Sequence, residues 1–360
     1  MPFPIEPPIE PMLAQIAEHL PPEGDFLFEP KWDGFRAIVF RGSDDIYIQS
    51  RDMKPLDRYF PELREALLRL LPAGCVVDGE VVIVAPSGLD FDALQLRLHP
   101  AQSRVAKLAR ESPASFVAFD VLAAGGRNVM ATAQRDRRGM LESLFEPRSS
   151  LYLTPMTRER RIASEWLQQF EGAGLDGVVV KPLELPYLPG KRAMLKVKHV
   201  RTADCVVAGF RWYKNTSDAV GSLLLGLYDD HGVLHHVGVT SAFKMVVRKN
   251  LARELEPLRK NAMKNHPWRD WAREEAHAPI RMPGGQSRWS AGKDLSWEPL
   301  RVERVCEVRY DHLQGDRFRH ATHFVRWRTD KPPSACRYDQ LEVTTPYALK
   351  KVFAAARASS

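Results

Sequence analysis

The stretch that most limits how this chain can fold is Glu29-Pro30-Lys31-Trp32-Asp33-Gly34-Phe35-Arg36. It follows the apolar run Phe26-Leu27-Phe28 and precedes Ala37-Ile38-Val39-Phe40, which predicts a lysine at the mouth of two strands. Burial disfavours the ammonium form and lowers its pKa, and an amine needs that to act as a nucleophile near neutral pH. A strand-edge lysine whose stem lies on apolar surface while its head reaches water gives the same local pattern. The decision therefore rests on the rest of the chain.

Two further segments pose a charge problem. Val76 to Val84 suits a buried strand except for Asp78 and Glu80, which strand geometry projects to one face. Two like charges are costly to bury together, so a metal, an arginine or the hydroxyls of a ligand must face them. Lys196 and Lys198 repeat the spacing with the opposite sign. Both ammoniums point to one face and can hold a triphosphate.

With 360 residues the chain is long enough for two domains. It contains no apolar run long enough to span a bilayer, and the acidic, proline-rich opening is unlike a signal peptide. A soluble, cytoplasmic, nucleoid-associated monomer is expected. Cys75, Cys205, Cys306 and Cys336 are far apart and form no CxxC pair, so neither a zinc site nor a disulfide framework is indicated. Charge is uneven: residues 201–360 carry 27 Lys and Arg against 18 Asp and Glu, whereas residues 1–200 carry 25 against 27. A basic half beside a near-neutral half suits a polyanion on one domain and a smaller ligand on the other, with nucleic acid as the polyanion.

Read in order, Glu10 onward predicts a short helix ended by Pro21-Pro22, and Ile46–Gln49 a strand. Phe60–Leu71, Arg135–Phe145 and Ala163–Phe170 read as helices, and Ser115–Leu122 as a strand. From Thr202 short strands take over, at Asp204–Trp212, Ser222–Tyr228 and Val233–Val239, with a turn at Asp229-Asp230-His231-Gly232. A helix over Phe243–Arg259 and a loop over about 266–298 precede strands at Val302–Tyr310 and His323–Arg328. Several strands around one helix predict an OB-type barrel. Tyr347–Ala356 reads as a short basic helix with no assigned role.

Lys31-Trp32-Asp33-Gly34-Phe35-Arg36 fits Lys-x-Asp-Gly-x-Arg and resembles the nucleotidyl-acceptor motif of covalent nucleotidyltransferases: ATP-dependent DNA ligases, RNA ligases and mRNA capping enzymes. The family's other motifs follow in order. They are Ser50-Arg51, Asp78-Gly79-Glu80, the strand through Phe119, Asp176-Gly177-Val178-Val179-Val180-Lys181 with Asp where relatives carry Glu, Tyr187–Lys198 with Met194 where relatives often carry tryptophan, and Arg328-Thr329-Asp330-Lys331. The whole resembles the short stand-alone bacterial ATP-dependent DNA ligases of C type. That resemblance implies an α+β chain, with an ATP-grasp-like nucleotidyltransferase domain of antiparallel sheets and helices over 1–200. An OB-fold barrel over 201–345 and a tail over 346–360 would complete it.

By the same resemblance Lys31 is the catalytic nucleophile, and ATP with Mg²⁺ or Mn²⁺ is required. Glu29, Arg36, Arg51, Glu80, Phe119, Lys196, Lys198, Asp330 and Lys331 would contact the nucleotide. Glu29 would meet the adenine amino group, and Phe119 would stack on the purine. Glu80 and Asp176 are the expected metal ligands. Arg317, Arg319 and Arg326 would meet the DNA, a nicked duplex, in a repair reaction involving repair proteins. An RNA ligase, a capping-type enzyme and an inactive DNA-end-binding module are the alternatives, and the Arg-x-Asp-Lys element favours DNA.

Overall fold

The computed structural model describes residues 3–86, 88–198, 201–269, 296–311, 313–341 and 347–355. The chain divides into two compact units, Met1–His199 with Thr344–Ser360, and Val200–Val343.

In the first unit the described strands are β1 (Leu13–Ala17), β2 (Phe26–Pro30), β3 (Phe35–Arg41), β4 (Ile46–Ser50), β5 (Cys75–Ala85), β6 (Gly88–Leu89), β7 (Ala114–Ala124), β8 (Arg127–Asn128), β9 (Leu151–Leu153), β10 (Val178–Pro182) and β11 (Arg192–Val197). One sheet runs β4-β3-β5-β7-β8, with β6 on β5 and β9 on β7, and a second runs β1-β11-β10-β2. Alternation along β5 explains the first sheet. Cys75, Val77, Val81 and Ile83 enter one apolar core, shared with Leu63 and Leu67 of the helix Pro61–Leu70, while Val76 and Val82 enter two others. Asp78 and Glu80 share the parity of Val76 and Val82. Further helices cover Gln134–Leu144 and Arg160–Gln169, within a residue or a few of the ends expected from periodicity.

One expected element is wrong. The helix read from Glu10 is strand β1, paired parallel to β11 with Ile16 opposite Lys196. So short a helix is marginal in water, whereas β11 offers an edge of unpaired backbone groups that a neighbouring strand satisfies.

The second unit contains β12 (Arg201–Trp212), β13 (Val220–Tyr228), β14 (Leu234–Thr240), β15 (Glu298–Tyr310), the small hairpin β16 (Leu313–Gln314) and β17 (Arg317–Phe318), and β18 (His323–Trp327). Its main sheet is antiparallel in the order β14-β13-β12-β15-β18. The two edges meet where Thr322 N donates to Val239 O at 2.8 Å and Thr240 Oγ1 donates to Thr322 O at 2.9 Å, giving an OB-like barrel. The helix Met245–Arg259 buries Leu251, Leu255 and Leu258 against this sheet. At the β13–β14 turn the Asp229 carboxylate accepts from His231 N and Val233 N, and Gly232 takes the left-handed φ of +77°. Of the loop expected over 266–298, residues 270–295 lie outside the described residues. The basic tail is a helix over Leu349–Ala355, and its Leu349 and Val352 sit in an apolar core of the first unit. Residue 356, the end of the expected tail helix, lies outside the described residues. The four cysteines are free and buried.

A buried ion pair joins the first sheet to its covering helix. Asp120 on β7 and Arg137 on the helix Gln134–Leu144 are 1% and 0% exposed and meet through two hydrogen bonds of 2.9 and 3.1 Å. Arg137 also donates to Thr132 O, Leu185 O and Gln134 Oε1. Removing the guanidinium would leave a buried carboxylate without its counter-ion, although Val121 N still donates to Oδ1 at 2.9 Å. Arg137→Ala is therefore expected to lower unfolding stability by about 3–5 kcal/mol, measured by denaturant titration of the full chain.

Candidate active site

The two sheets of the first unit are joined by the segment that carries Lys31. Strand β2 ends at Pro30, yet its pairing with β10 continues: Lys31 N donates to Gly177 O at 2.8 Å, and Asp176 N donates to Lys31 O at 2.9 Å. Both backbone groups of Lys31 are thus fixed, so the sheet edge sets the direction in which its side chain leaves the backbone. Lys31 Nζ donates to Asp176 Oδ2 at 2.5 Å, and Lys198 Nζ reaches the same oxygen at 2.9 Å. Two glycines allow this closeness. A Cβ on Gly34 would lie 2.2 Å from Val81 O, and one on Gly177 would lie 2.1 Å from Val197 O.

Lys31 opens onto a cleft lined by Glu29, Trp32, Arg36, Arg51, Glu80, Phe119, Lys181, Arg192 and Lys196 among others. Arg36 answers the charge problem of β5. It lies opposite Glu80 in the β3–β5 register and donates to both Asp78 oxygens, at 2.9 and 2.6 Å. Tyr187 Oη completes the Asp78 shell at 2.7 Å. Burial works against the Arg36 charge, but Asp78 more than offsets it and holds the guanidinium protonated. Burial pushes the Glu80 carboxyl up to about 8, against the pull of Lys31 and Arg36. Lys196 is shifted down by desolvation and by the neighbouring cations Lys31, Lys198 and Arg51.

At the inner end Glu29, 2% exposed, pairs with Lys181 at 2.8 Å. Its Oε1 lies 3.5 Å from Arg138 but accepts no hydrogen bond, and Arg138 Nη1 is likewise unsatisfied. A buried carboxylate oxygen on a cleft wall without a donor is placed to receive one from a ligand. Phe119 lies beside it, with Arg36 and Lys181 cations 5.0 and 5.1 Å from its ring centre and Lys181 Nζ bonded to its carbonyl at 2.8 Å.

Of the residues singled out from sequence, the structure gathers Glu29, Lys31, Arg36, Arg51, Glu80, Phe119 and Lys196 around this cleft. Lys198 and Asp176 join it through Lys31. Asp176, an expected metal ligand, is bonded to two ammoniums, its backbone being locked opposite Lys31. Lys181, Arg192 and Trp32 line the cleft and were not singled out, although a lysine closing the run Val178-Val179-Val180 signals a buried partner such as Glu29. The remaining residues belong to the second unit. There Asp204 receives Lys331 at 3.0 Å and Arg328 at 2.7 Å, Asp330 pairs with Arg328 at 2.8 Å, and Arg326 pairs with Glu307 at 2.7 Å. Arg317 lies on β17, and Arg319 directly follows Phe318, where that strand ends. Among the described residues no group of three or more His, Cys, Asp or Glu is arranged to hold a metal.

Residues 11–198 match the family described as the ATP dependent DNA ligase domain, and residues 216–331 match the ATP dependent DNA ligase C terminal region. The chain is 52% identical over 345 residues to DNA ligase C2 of Mycolicibacterium smegmatis, covering 95% of this chain and 96% of that relative. It is 49% identical over 347 residues to DNA ligase C of Mycobacterium tuberculosis, with the same coverage. The multifunctional non-homologous end joining DNA repair protein LigD of M. tuberculosis is 30% identical over 237 residues, 64% of this chain and 29% of that protein. Among solved structures, a Lig E DNA ligase described as binding DNA with a minimal scaffold superposes with a TM-score of 0.53 at 16% identity, over 88% of this chain and 99% of that one, and so shares the fold. These matches do not favour an RNA ligase, a capping enzyme or an inactive module. The chain belongs to the ATP-dependent DNA ligases, of the stand-alone bacterial kind.

Proposed function

We propose that the protein seals nicks in duplex DNA by way of an AMP carried on Lys31, and that the Lys31–Asp176 contact is the observation that carries this assignment. An ammonium cannot attack. Asp176, 2.5 Å from Nζ, is placed to take its proton as the amine lone pair bonds to the α-phosphorus of ATP and the bond to pyrophosphate breaks. Lys196 and Lys198 offset the charge that develops on the phosphates, and Arg51 and Arg192 add to it from the cleft wall. The unsatisfied Glu29 Oε1 suits the adenine amino group, and Phe119 suits the purine face. The AMP is then passed to the 5′-phosphate at the nick, and the adjacent 3′-hydroxyl displaces it.

The donor set fits a divalent ion that arrives with ATP better than a resident one. Mg²⁺ commonly takes one or two protein carboxylates and completes its shell with phosphate oxygens and water. Glu80 and Asp176 are the carboxylates that would hold Mg²⁺ or Mn²⁺, which would supply further neutralisation of the α-phosphate. In the second unit we assign Asp330 and Lys331 to the departing pyrophosphate, and Arg317, Arg319 and Arg326 to the DNA backbone. We assign the protein as a monomer at the nucleoid; its place in repair is supported by the printed name of the LigD relative. No helix among the described residues is long and apolar enough to cross a membrane.

Lys31→Ala is expected to abolish covalent labelling by radioactive ATP yet to retain closure of a nick that already carries AMP, because that last step uses no lysine nucleophile. Normal labelling of this variant would overturn the assignment.

Asp176→Asn should slow labelling by about 100-fold, the usual worth of a positioned base, and excess Mg²⁺ or Mn²⁺ should not restore it. Rescue by excess metal would show that Asp176 acts through the ion alone and is not the proton acceptor. Asp176→Glu should keep most activity.

Asp330→Ala and Lys331→Ala should impair labelling while sparing closure of the pre-adenylated nick. Replacing Arg317, Arg319 and Arg326 should weaken DNA binding and reduce its salt dependence by about one unit of slope per lost phosphate contact. Loss of closure alone in the first pair, or of labelling alone in the arginine variants, would reverse these roles.

A further inference from the structure

The residue after the nucleophile is held by the far end of the chain. Trp32 lines the cleft, is 5% exposed, and donates from Nε1 to Thr154 Oγ1 at 2.8 Å. Its ring is covered by Phe353 of the helix Leu349–Ala355, with centroids 5.2 Å apart and planes inclined by 15°. Phe353 also stacks on Tyr152 of β9 at 4.1 Å and 17°. The helix is anchored at its other end as well: Tyr347 N donates to Gly172 O at 3.1 Å, the Tyr347 ring lies 5.3 Å from Phe170, and Leu349 and Val352 are 5% and 0% exposed. All of these contacts lie within the first unit. The helix lies beyond both matched family regions, which end at residues 198 and 331.

Lys31 has backbone bonds on one side only, to Asp176 and Gly177. The carbonyl of the Lys31–Trp32 peptide is held by Asp176 N, and beyond it the Trp32 ring lines the cleft beside Lys31, so the wall along which the lysine side chain runs is set by what fixes the indole. A hydrogen bond at the ring edge fixes a point, and a stacked ring on the face fixes the plane. We infer that Phe353 is a positioning residue for the ligase reaction: by stacking on Trp32 it holds Lys31 Nζ in line for attack, and the C-terminal helix thereby controls the adenylation step. This inference rests on Lys31 being the nucleophile. It goes beyond that reading by making the step depend on a segment outside the nucleotide cleft.

An apolar cover would be satisfied by any side chain of similar bulk, whereas a positioning stack needs a flat ring. The test therefore compares Phe353→Leu with Phe353→Tyr in the full-length protein, using single-turnover labelling at saturating ATP and closure of a pre-adenylated nick. Phe353→Leu should label about 10-fold more slowly, within the range that a small misplacement of a reacting group costs, while its closure of the pre-adenylated nick stays within about twofold. Phe353→Tyr should restore labelling. Val352→Ala, which thins the buried face of the same helix without touching the stack, should lower the melting temperature yet label at the wild-type rate. The inference is overturned if Phe353→Leu labels like wild type, if both steps slow equally, or if Val352→Ala slows labelling as much as Phe353→Leu. Lys31→Ala, run alongside, reads the nucleophile assignment separately, since its failure appears as label on a protein that lacks Lys31.

Discussion

The active site of the first unit is organised around the pairing of Lys31 with Asp176. A lysine between two strands and an aspartate after a helix, 145 residues apart, are brought together by two backbone hydrogen bonds before their side chains meet at 2.5 Å. The order of causes matters here. Side chains of this length would sample many positions if the backbone were loose, and the entropy of holding them would cancel much of the gain from an ion pair near the surface. With the sheet edge extended through Pro30 to Lys31, most of that ordering has already been met by strand pairing. What remains is a short, directed contact whose geometry is set by the fold.

Much of this was legible in the sequence because like charges on a strand cannot be silent. Asp78 and Glu80 required a cation, and Arg36, five residues after Lys31, supplies it through the β3–β5 register. Lys196 and Lys198 required an anion, and Asp176 reaches Lys198. Lys181 was harder to see. Its partner Glu29 is remote in sequence and looks like a ligand contact by itself, so the pair emerges only when β10 lies beside β2. Strand β1 was misread for the converse reason: nothing in Leu13–Ala17 announces that an edge of β11 is available to it. Local pattern gives the character of a segment, and it fails where a distant partner decides the outcome.

The second unit shows the same logic with a different emphasis. Asp204, on β12, gathers Arg328 and Lys331 from the segment after β18, so the Arg-x-Asp-Lys element is ordered by a carboxylate more than a hundred residues earlier. Cys205 and Cys306 face each other across β12 and β15 as buried thiols, and burial pushes the Cys306 thiol well above its ordinary value. Such cysteines pack as small apolar residues, in keeping with their scattered spacing in the sequence. The excess of positive charge in this half of the chain suits a DNA backbone.

The cleft itself is electrostatically incomplete. Lys31, Arg36, Arg51, Lys181, Arg192 and Lys196 line it against two carboxylates, Glu29 and Glu80. Asp78 accounts for Arg36, Glu29 for Lys181 and Asp176 for Lys31, which leaves Lys196 in the field of Lys31, Lys198 and Arg51. The downward shift of Lys196 records that repulsion together with the desolvation that heads its causes. An incoming polyphosphate would relieve it. The attraction is strongest while the phosphates are all present and falls once pyrophosphate has gone, so the field that draws ATP in does not trap the adenylate with the same strength. A site built from neutral donors could bind the same nucleotide through hydrogen bonds alone. It would lack this change of affinity between reactant and intermediate, and that change is what a transferable nucleotide requires.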